Sequence, residues 1–207
     1  MPETISSKHI YKGSIFDIRV DTVREGELEY ERDIIAHPGS GVIVPFYEDG
    51  TVALVRQYRH AAGKSLLEIP AGSLDEGESP ETGARRELEE EIGVTAENFE
   101  QIAAFYVSPG FLTEKMFVFL ASGLKETSQS LDDDEIVEIE RISFERAFEM
   151  IRSGEIEDAK TIVGLTIAGG VHEVWPSAGF ETPEMIHANA SEMLVLFLNT
   201  RINQMLC

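Results

Sequence analysis

The residues in this chain best suited to chemistry are Glu87, Glu90 and Glu91. Spacings of three and four place side chains on one side of an α-helix, so these carboxylates face the same way. Like charges at that spacing cost a helix roughly 0.2–0.5 kcal/mol per pair. Arg86 stands just ahead of them, and no lysine or arginine lies between 87 and 94. A divalent cation would balance the charge, because carboxylate oxygens are hard ligands suited to magnesium or manganese. Helix geometry alone is equally consistent with a solvated acidic face, which an acidic protein carries in several places. Around the cluster, Gly72 would let a tight loop approach the helix, and Glu78 falls just before the helix start, where an acid is favoured. Arg86 can hold carboxylates in bidentate fashion.

The helix that must carry the cluster is well marked. Ser79-Pro80-Glu81 supplies an N-cap, a proline at the first helical position and an acid in the first turn. Ala84, Leu88 and Ile92 recur every four residues as a buried stripe, and Gly93 closes the helix. Ahead of it, residues 15–25 alternate at period two and pair with 28–36 across Gly26, predicting a hairpin. Residues 41–46 form a continuous apolar run expected of a strand buried on both faces. Strands are expected at 51–59 and 66–70, and after the helix at 99–107, 114–121 and 135–142. Helices are expected at 143–152, 158–168 and 184–205. Strands, a helix, strands and then helices predict an α/β (α+β) fold, a mixed sheet with helices packed on it. We divide the chain into an N-terminal hairpin unit (1–38), a central domain (39–168) and a C-terminal helical extension (169–207) joined at Gly169-Gly170.

Composition narrows the function classes. The chain has 207 residues, 43% hydrophobic and 27% charged, which is globular in character. Lys plus Arg is 17 against 38 Asp plus Glu, a formal charge of −21. That balance argues against a nucleic-acid partner, and an anionic substrate would require cations supplied at the site. The one cysteine is Cys207, so no intramolecular disulfide is possible. The first residues contain no apolar signal segment, and no run of about 18 apolar residues exists to span a membrane. A cytoplasmic protein with no membrane partner is expected.

The spacing around the cluster is more specific than its geometry. Gly72, five residues, Glu78, seven residues, Arg86-Glu87-Leu88, one residue, Glu90-Glu91, one residue and Gly93-Val94 match every fixed position of the Nudix box. The chain therefore resembles the Nudix hydrolases over about residues 10–168. The resemblance implies an α/β/α sandwich around a mixed sheet. Its loop–helix–loop would bind two to three Mg2+ (or Mn2+) ions bridging to a diphosphate. Glu87 and Glu91 would be the principal metal ligands, Glu90 a ligand or near-metal acid, and the Ala71 carbonyl would complete the set. Arg86 and Glu78 would orient these groups.

Flanking residues resemble the ADP-ribose pyrophosphatase branch. Ser108-Pro109-Gly110-Phe111 places Pro109 16 residues after Gly93, Glu114 follows, and Val55-Arg56-Gln57-Tyr58-Arg59 precedes Leu67–Gly72. In relatives the second arginine, here Arg59, reaches the diphosphate, and for Arg59 we favour that role over strand-end surface charge; for Arg56 both readings stay open, and Pro109 is a turn proline in either case. An acid before a late strand serves such enzymes as the base. Glu135 matches that place best, then Asp133, although a solvated loop accounts for most of residues 131–140. The resemblance also implies a homodimer through the N-terminal hairpin, with Tyr30 and Arg32 contacting the nucleoside of the partner's site. The relatives' base-stacking tryptophan has no counterpart, since the only tryptophan is Trp175, which leaves Tyr30 or Phe16 as stacking groups, or a base that is not tightly clamped. The products would be AMP and ribose 5-phosphate. GDP-mannose or another nucleotide sugar is the nearest alternative substrate; a non-catalytic nucleotide sensor and an interaction scaffold are alternatives of other classes. The five histidines show no metal-ligand spacing, and neither GxSxG nor GxGxxG is present. Gly63-Lys64-Ser65 imitates the end of a P-loop, but the required upstream glycine position is Tyr58.

Overall fold

In the computed structural model of this chain, residues 1–131 and 136–171 are described. β1 (Glu3–Lys12), β2 (Asp17–Glu25) and β3 (Leu28–Ala36) form an antiparallel sheet in that order. β2 and β3 are the hairpin read from the alternation, turning at Gly26 with φ 64°. β1 is an added strand. All its residues are exposed, so no buried face imprinted a period-two pattern on its sequence.

The remaining strands build two sheets. β4 (Ser40–Pro45), β7 (Ala71–Ser73), β8 (Val94–Tyr106) and β9 (Lys115–Glu126) form a mixed sheet of order β7-β4-β9-β8, in which β4 runs parallel to β9. β5 (Thr51–Arg59), β6 (Lys64–Glu68) and β10 (Val137–Ser143) form an antiparallel sheet of order β10-β5-β6. β4 is buried throughout, as its apolar run requires. The P-loop imitation is a hairpin turn, with Gly63 at φ 68° and Lys64 paired with Arg59.

Helices cover both faces. α1 (Pro80–Ile92) packs its Ala84, Leu88 and Ile92 stripe against Ile43, Ala53, Val55 and Phe119. On the other face, Phe144, Ala147 and Phe148 of α2 (Phe144–Ser153) and Leu165 and Ala168 of α3 (Ala159–Val171) join Val42, Val44, Val52, Leu54 and Val118. Alternate residues of β4, β5 and β9 thus feed two cores. α3 continues through Gly169 and Gly170, past the boundary expected at 168. A Cβ at Gly169 would stand 2.9 Å from the Phe148 ring, so this glycine serves helix packing. Among the described residues, no helix is long and apolar enough to cross a membrane. The base candidates Asp133 and Glu135 and the helix expected at 184–205 lie outside the described residues.

Candidate functional site

The fold first fixes where α1 sits. Ser79 caps its start by accepting from the Thr82 amide at 3.1 Å, and Gly93 ends it in the left-handed conformation at φ 65°. A Cβ on Gly41 would lie 2.8–2.9 Å from backbone and side-chain atoms of Ala84, so helix and strand meet backbone to backbone. β7 pairs with β4 through Gly41–Gly72 and Val42–Ala71, which brings Ala71 and Gly72 beneath the helix. Glu87 explains the glycine at 72: a Cβ there would fall 2.0–2.4 Å from its carboxylate atoms. Glu91 is 2% exposed, and its Oε2 accepts from the Ala71 amide at 3.0 Å.

Arg86 gathers the cluster. Its Nε and Nη2 donate to the two oxygens of Glu78 at 3.2 and 3.1 Å, the bidentate grip its chemistry allows. Nη1 donates to Glu87 at 2.7 Å and to Glu90 at 2.9 Å, and Nη2 also donates to the Ser73 carbonyl at 3.1 Å. Arg86 itself, rather than an external ion alone, therefore supplies charge balance to Glu87 and Glu90. The hydrogen bonds to Glu78, opposed by burial and aided by the charge of Glu87, raise the Arg86 pKa far above the ordinary arginine value. Those same bonds, with the Asp75 amide, hold the Glu78 carboxyl below the usual range.

Among the described residues, no three His, Cys, Asp or Glu side chains converge closely enough to hold a metal ion. Arg86 Nη1 stands between Glu87 and Glu90, while Glu91 turns to the Ala71 amide. The donor set nevertheless suits a divalent cation. It is all hard oxygen, its charge exceeds what one guanidinium balances, and Gly72 leaves a cradle that a Cβ would fill.

Arg59 lies at the end of β5. Its Nε and Nη2 donate to Glu68 at 2.8 and 2.7 Å. Glu68 lies three residues before Ala71, whose amide donates to Glu91, so this short stretch of chain joins Arg59 to the Glu91 end of the cluster. Arg56 is three residues earlier on an unbroken strand and so points to the opposite face. There it pairs with Glu140 at 2.5 Å. Glu114 accepts from Ser40 Oγ at 2.7 Å, with His37 Nδ1 3.9 Å away. Pro109 sits in a turn closed by Phe111 and Leu112 amides on the Ser108 carbonyl, and the turn docks on β3 through the Ile35–Phe111 bond at 2.8 Å. Arg32 stacks 4.1 Å over Tyr30, whose hydroxyl bonds Glu25; these contacts stay within the N-terminal sheet.

Sequence reasoning passed over Glu68, Lys160, Asp158 and His37. Glu68 ends β6 among apolar neighbours, Leu66, Leu67 and Ile69, and a charge there was the available signal. Its partner Lys160 is 92 residues away, a pairing no local pattern encodes.

A family profile described as the NUDIX domain matches residues 36–163. An ADP-ribose pyrophosphatase of Bacillus subtilis (strain 168) is 40% identical over 163 residues, covering 77% of this chain and 88% of that protein. A methanol dehydrogenase activator of Bacillus methanolicus is 36% identical over 167 residues, covering 79% and 90%. An ADP-ribose pyrophosphatase of Mycobacterium tuberculosis (strain ATCC 25618 / H37Rv) is 36% identical over 185 residues, covering 87% of each chain. A crystal structure of an ADP compounds hydrolase shares the fold, with a TM-score of 0.74 at 20% identity, covering 84% of this chain and 95% of that one.

Proposed function

This chain belongs to the Nudix family, and we infer that it is a divalent-cation-dependent hydrolase acting on ADP-ribose. Water adds across the diphosphate, giving AMP and ribose 5-phosphate. The observation that supports this reading is the α1 carboxylate cluster gathered by Arg86, linked through Glu91, Ala71 and Glu68 to Arg59: a set of oxygens suited to cations and, a few residues along the same chain, a cation suited to phosphate.

Glu87, Glu91 and Glu90, with the Ala71 carbonyl, would hold Mg2+ or Mn2+, two to three ions per site. Such a site would supply Lewis-acid neutralisation of the diphosphate's charge. Arg86 and Glu78 keep the carboxylates oriented, and Arg59 donates to non-bridging phosphate oxygens, where charge gathers in a loose phosphoryl transition state. Arg59 is favoured over Arg56 by the face of β5 it occupies. Glu114 and Pro109 shape the side that selects the group beyond the diphosphate. Glu135, or failing it Asp133, takes the proton from water. The protein acts as a homodimer through its N-terminal sheet, and Tyr30 and Arg32 of one copy meet the nucleoside in the other. The metals and Arg59 reconcile a −21 chain with an anionic substrate.

The relative named as an activator favours a second reading, regulation of a partner enzyme. The complete carboxylate set supports hydrolysis instead, since a pure binder has no need of every ligand. The test is phosphate release from ADP-ribose with Mg2+ and an added phosphatase, beside GDP-mannose, NADH and dinucleoside polyphosphates. Turnover of ADP-ribose with the highest kcat/KM is expected. Preference for GDP-mannose overturns the substrate, and no turnover of any of them overturns the hydrolase.

A further inference from the structure

Among the described residues, Arg59 is gripped along one edge. Nε and Nη2 meet the two oxygens of Glu68 at 2.8 and 2.7 Å, which leaves the Nη1 end of the guanidinium outside that fork. The carboxylate doing this is 1% exposed and carries a second cation, Lys160 of α3, on Oε2. Lys160 also meets Asp158 Oδ1 at 3.1 Å. Asp158 Oδ2 accepts from the Thr161 hydroxyl at 2.6 Å and its amide at 2.9 Å. The Thr161 hydroxyl in turn accepts from the amide of Ile69, the residue after Glu68, at 2.9 Å.

The network is therefore closed: two cations, two carboxylates, and a hydroxyl that ties the start of α3 to the end of β6. Burying such charges costs desolvation, and an apolar substitute commonly packs as well or better, so core stability alone is a poor account of it. Order is a better one. A free arginine samples many rotamers, and fixing one before substrate arrives removes that entropy cost from binding.

We propose that Glu68 is a positioning residue: backed by Lys160, it locks the Arg59 guanidinium so that its Nη1 end is presented to a diphosphate. This rests on the reading of Arg59 given under Proposed function. The lock explains why a buried acid stands at the end of β6 next to a site that must attract anions, where an unneutralised carboxylate would repel the substrate. Lys160 removes that repulsion, and Glu68 keeps the arginine from swinging toward the α1 carboxylates.

The test is a double-mutant cycle with a spectroscopic control. Glu68→Gln is expected to lower kcat/KM for ADP-ribose about 10–100-fold, the range seen when groups supporting a catalytic ligand are removed. In an Arg59→Ala background, Glu68→Gln should change kcat/KM by less than about twofold, since both act through one guanidinium. Lys160→Met should give a smaller loss that likewise vanishes in Arg59→Ala, and it decides the matter should Glu68→Gln fail to fold. The Arg59 Nε–H resonance, followed by NMR without substrate or metal, should exchange slowly in the wild type and disappear by fast exchange in Glu68→Gln. Losses that multiply across the cycle, or a resonance unchanged by Glu68→Gln, overturn the proposal. So does an exchange-broadened resonance with kcat/KM unchanged. A wild-type protein that keeps the slow resonance but hydrolyses no nucleoside diphosphate overturns the functional reading instead.

Discussion

Arg86 and Arg59 each fork onto a mostly buried glutamate, yet their surroundings differ in one quantity, the charge count. Arg86 meets Glu78, Glu87 and Glu90 at 2.7–3.2 Å, with Asp75 at 4.0 Å. Among the described residues Arg59 forks onto Glu68, and Lys160 and Asp158 complete an even set of ion pairs. Among the described residues the uneven cluster brings more carboxylates than cations together, which suits it to a divalent ion. An even one asks for nothing further and is suited to holding geometry. The same side chains thus yield a cation-seeking site in one place and a rigid support in the other.

The largest break in that comparison comes from removing one charge on the uneven side. Glu91→Gln keeps size and hydrogen bonding but lowers the cluster's charge. Hydrolysis of ADP-ribose should fall roughly 10²–10³-fold, the scale of losing one preorganised electrostatic group. Circular dichroism should show the fold intact, because relieved repulsion on α1 offsets lost contacts. Full turnover by this variant would remove the carboxylates from the mechanism.

Metal addition sharpens the comparison at equilibrium. A ligand that binds only the folded state stabilises it by about 2.7 kcal/mol at a hundredfold excess over its Kd. Mg2+ should therefore raise the melting temperature of the wild type. The rise should disappear in Glu87→Gln, whose carboxylate lies over Gly72, and persist in Lys160→Met, which alters the even cluster. Equal responses in both variants would mean that charge count does not distinguish the two regions.

Acid separates them differently. Burial pushes the Glu68 carboxyl up, but hydrogen bonds and charge from Arg59 and Lys160 outweigh it, and its pKa lies below the ordinary 4.5. Such a group binds protons less readily folded than unfolded, so its contribution is whole above 4.5 and is lost as pH falls through the lower folded value. Glu78 behaves alike through Arg86. Stability should decline as pH drops below about 4.5, and denaturant midpoints should show a shallower decline in Glu68→Gln. A slope identical to the wild type would show that Glu68 is not held in its charged form.

The uneven cluster was legible because its members match the Nudix box; Arg86, Glu87, Glu90 and Glu91 ride one helix, where spacing fixes the shared face but left a solvated acidic face equally open. The apolar run of β4 and the four-residue stripe of α1 were legible because burial on both faces or on one dictates which positions are apolar. β1 was not, since a strand exposed along its whole length is free of that constraint. Nor was the even cluster. Arg59 and Glu68 come from one hairpin, but Lys160 and Thr161 arrive from α3, and only tertiary packing brings them to Glu68 and Ile69. The turn of Pro109 was legible as a turn, whereas its docking on β3 through Ile35 was not.

The smallest expected effect separates two arginines that sequence left side by side. Arg56 and Arg59 are three positions apart on β5, and a period of two puts them on opposite faces. Arg59 shares its face with Ala53 and Val55, which pack on α1, whereas Arg56 shares its face with Val52 and Leu54, which pack toward α2 and α3. Its partner Glu140 leaves both side chains about one-third exposed, at 38% and 35%. Pairs of that exposure are worth about 0.2–1 kcal/mol. Arg56→Gln should thus shift the denaturant midpoint slightly and lower kcat/KM less than about threefold, against 10²-fold or more for Arg59→Gln. Glu140→Gln should match Arg56→Gln in stability, since each breaks the same pair. A loss of activity in Arg56→Gln comparable to that of Arg59→Gln would mean that the substrate reaches round the edge of β5, and the assignment of faces to functions would have to be redrawn.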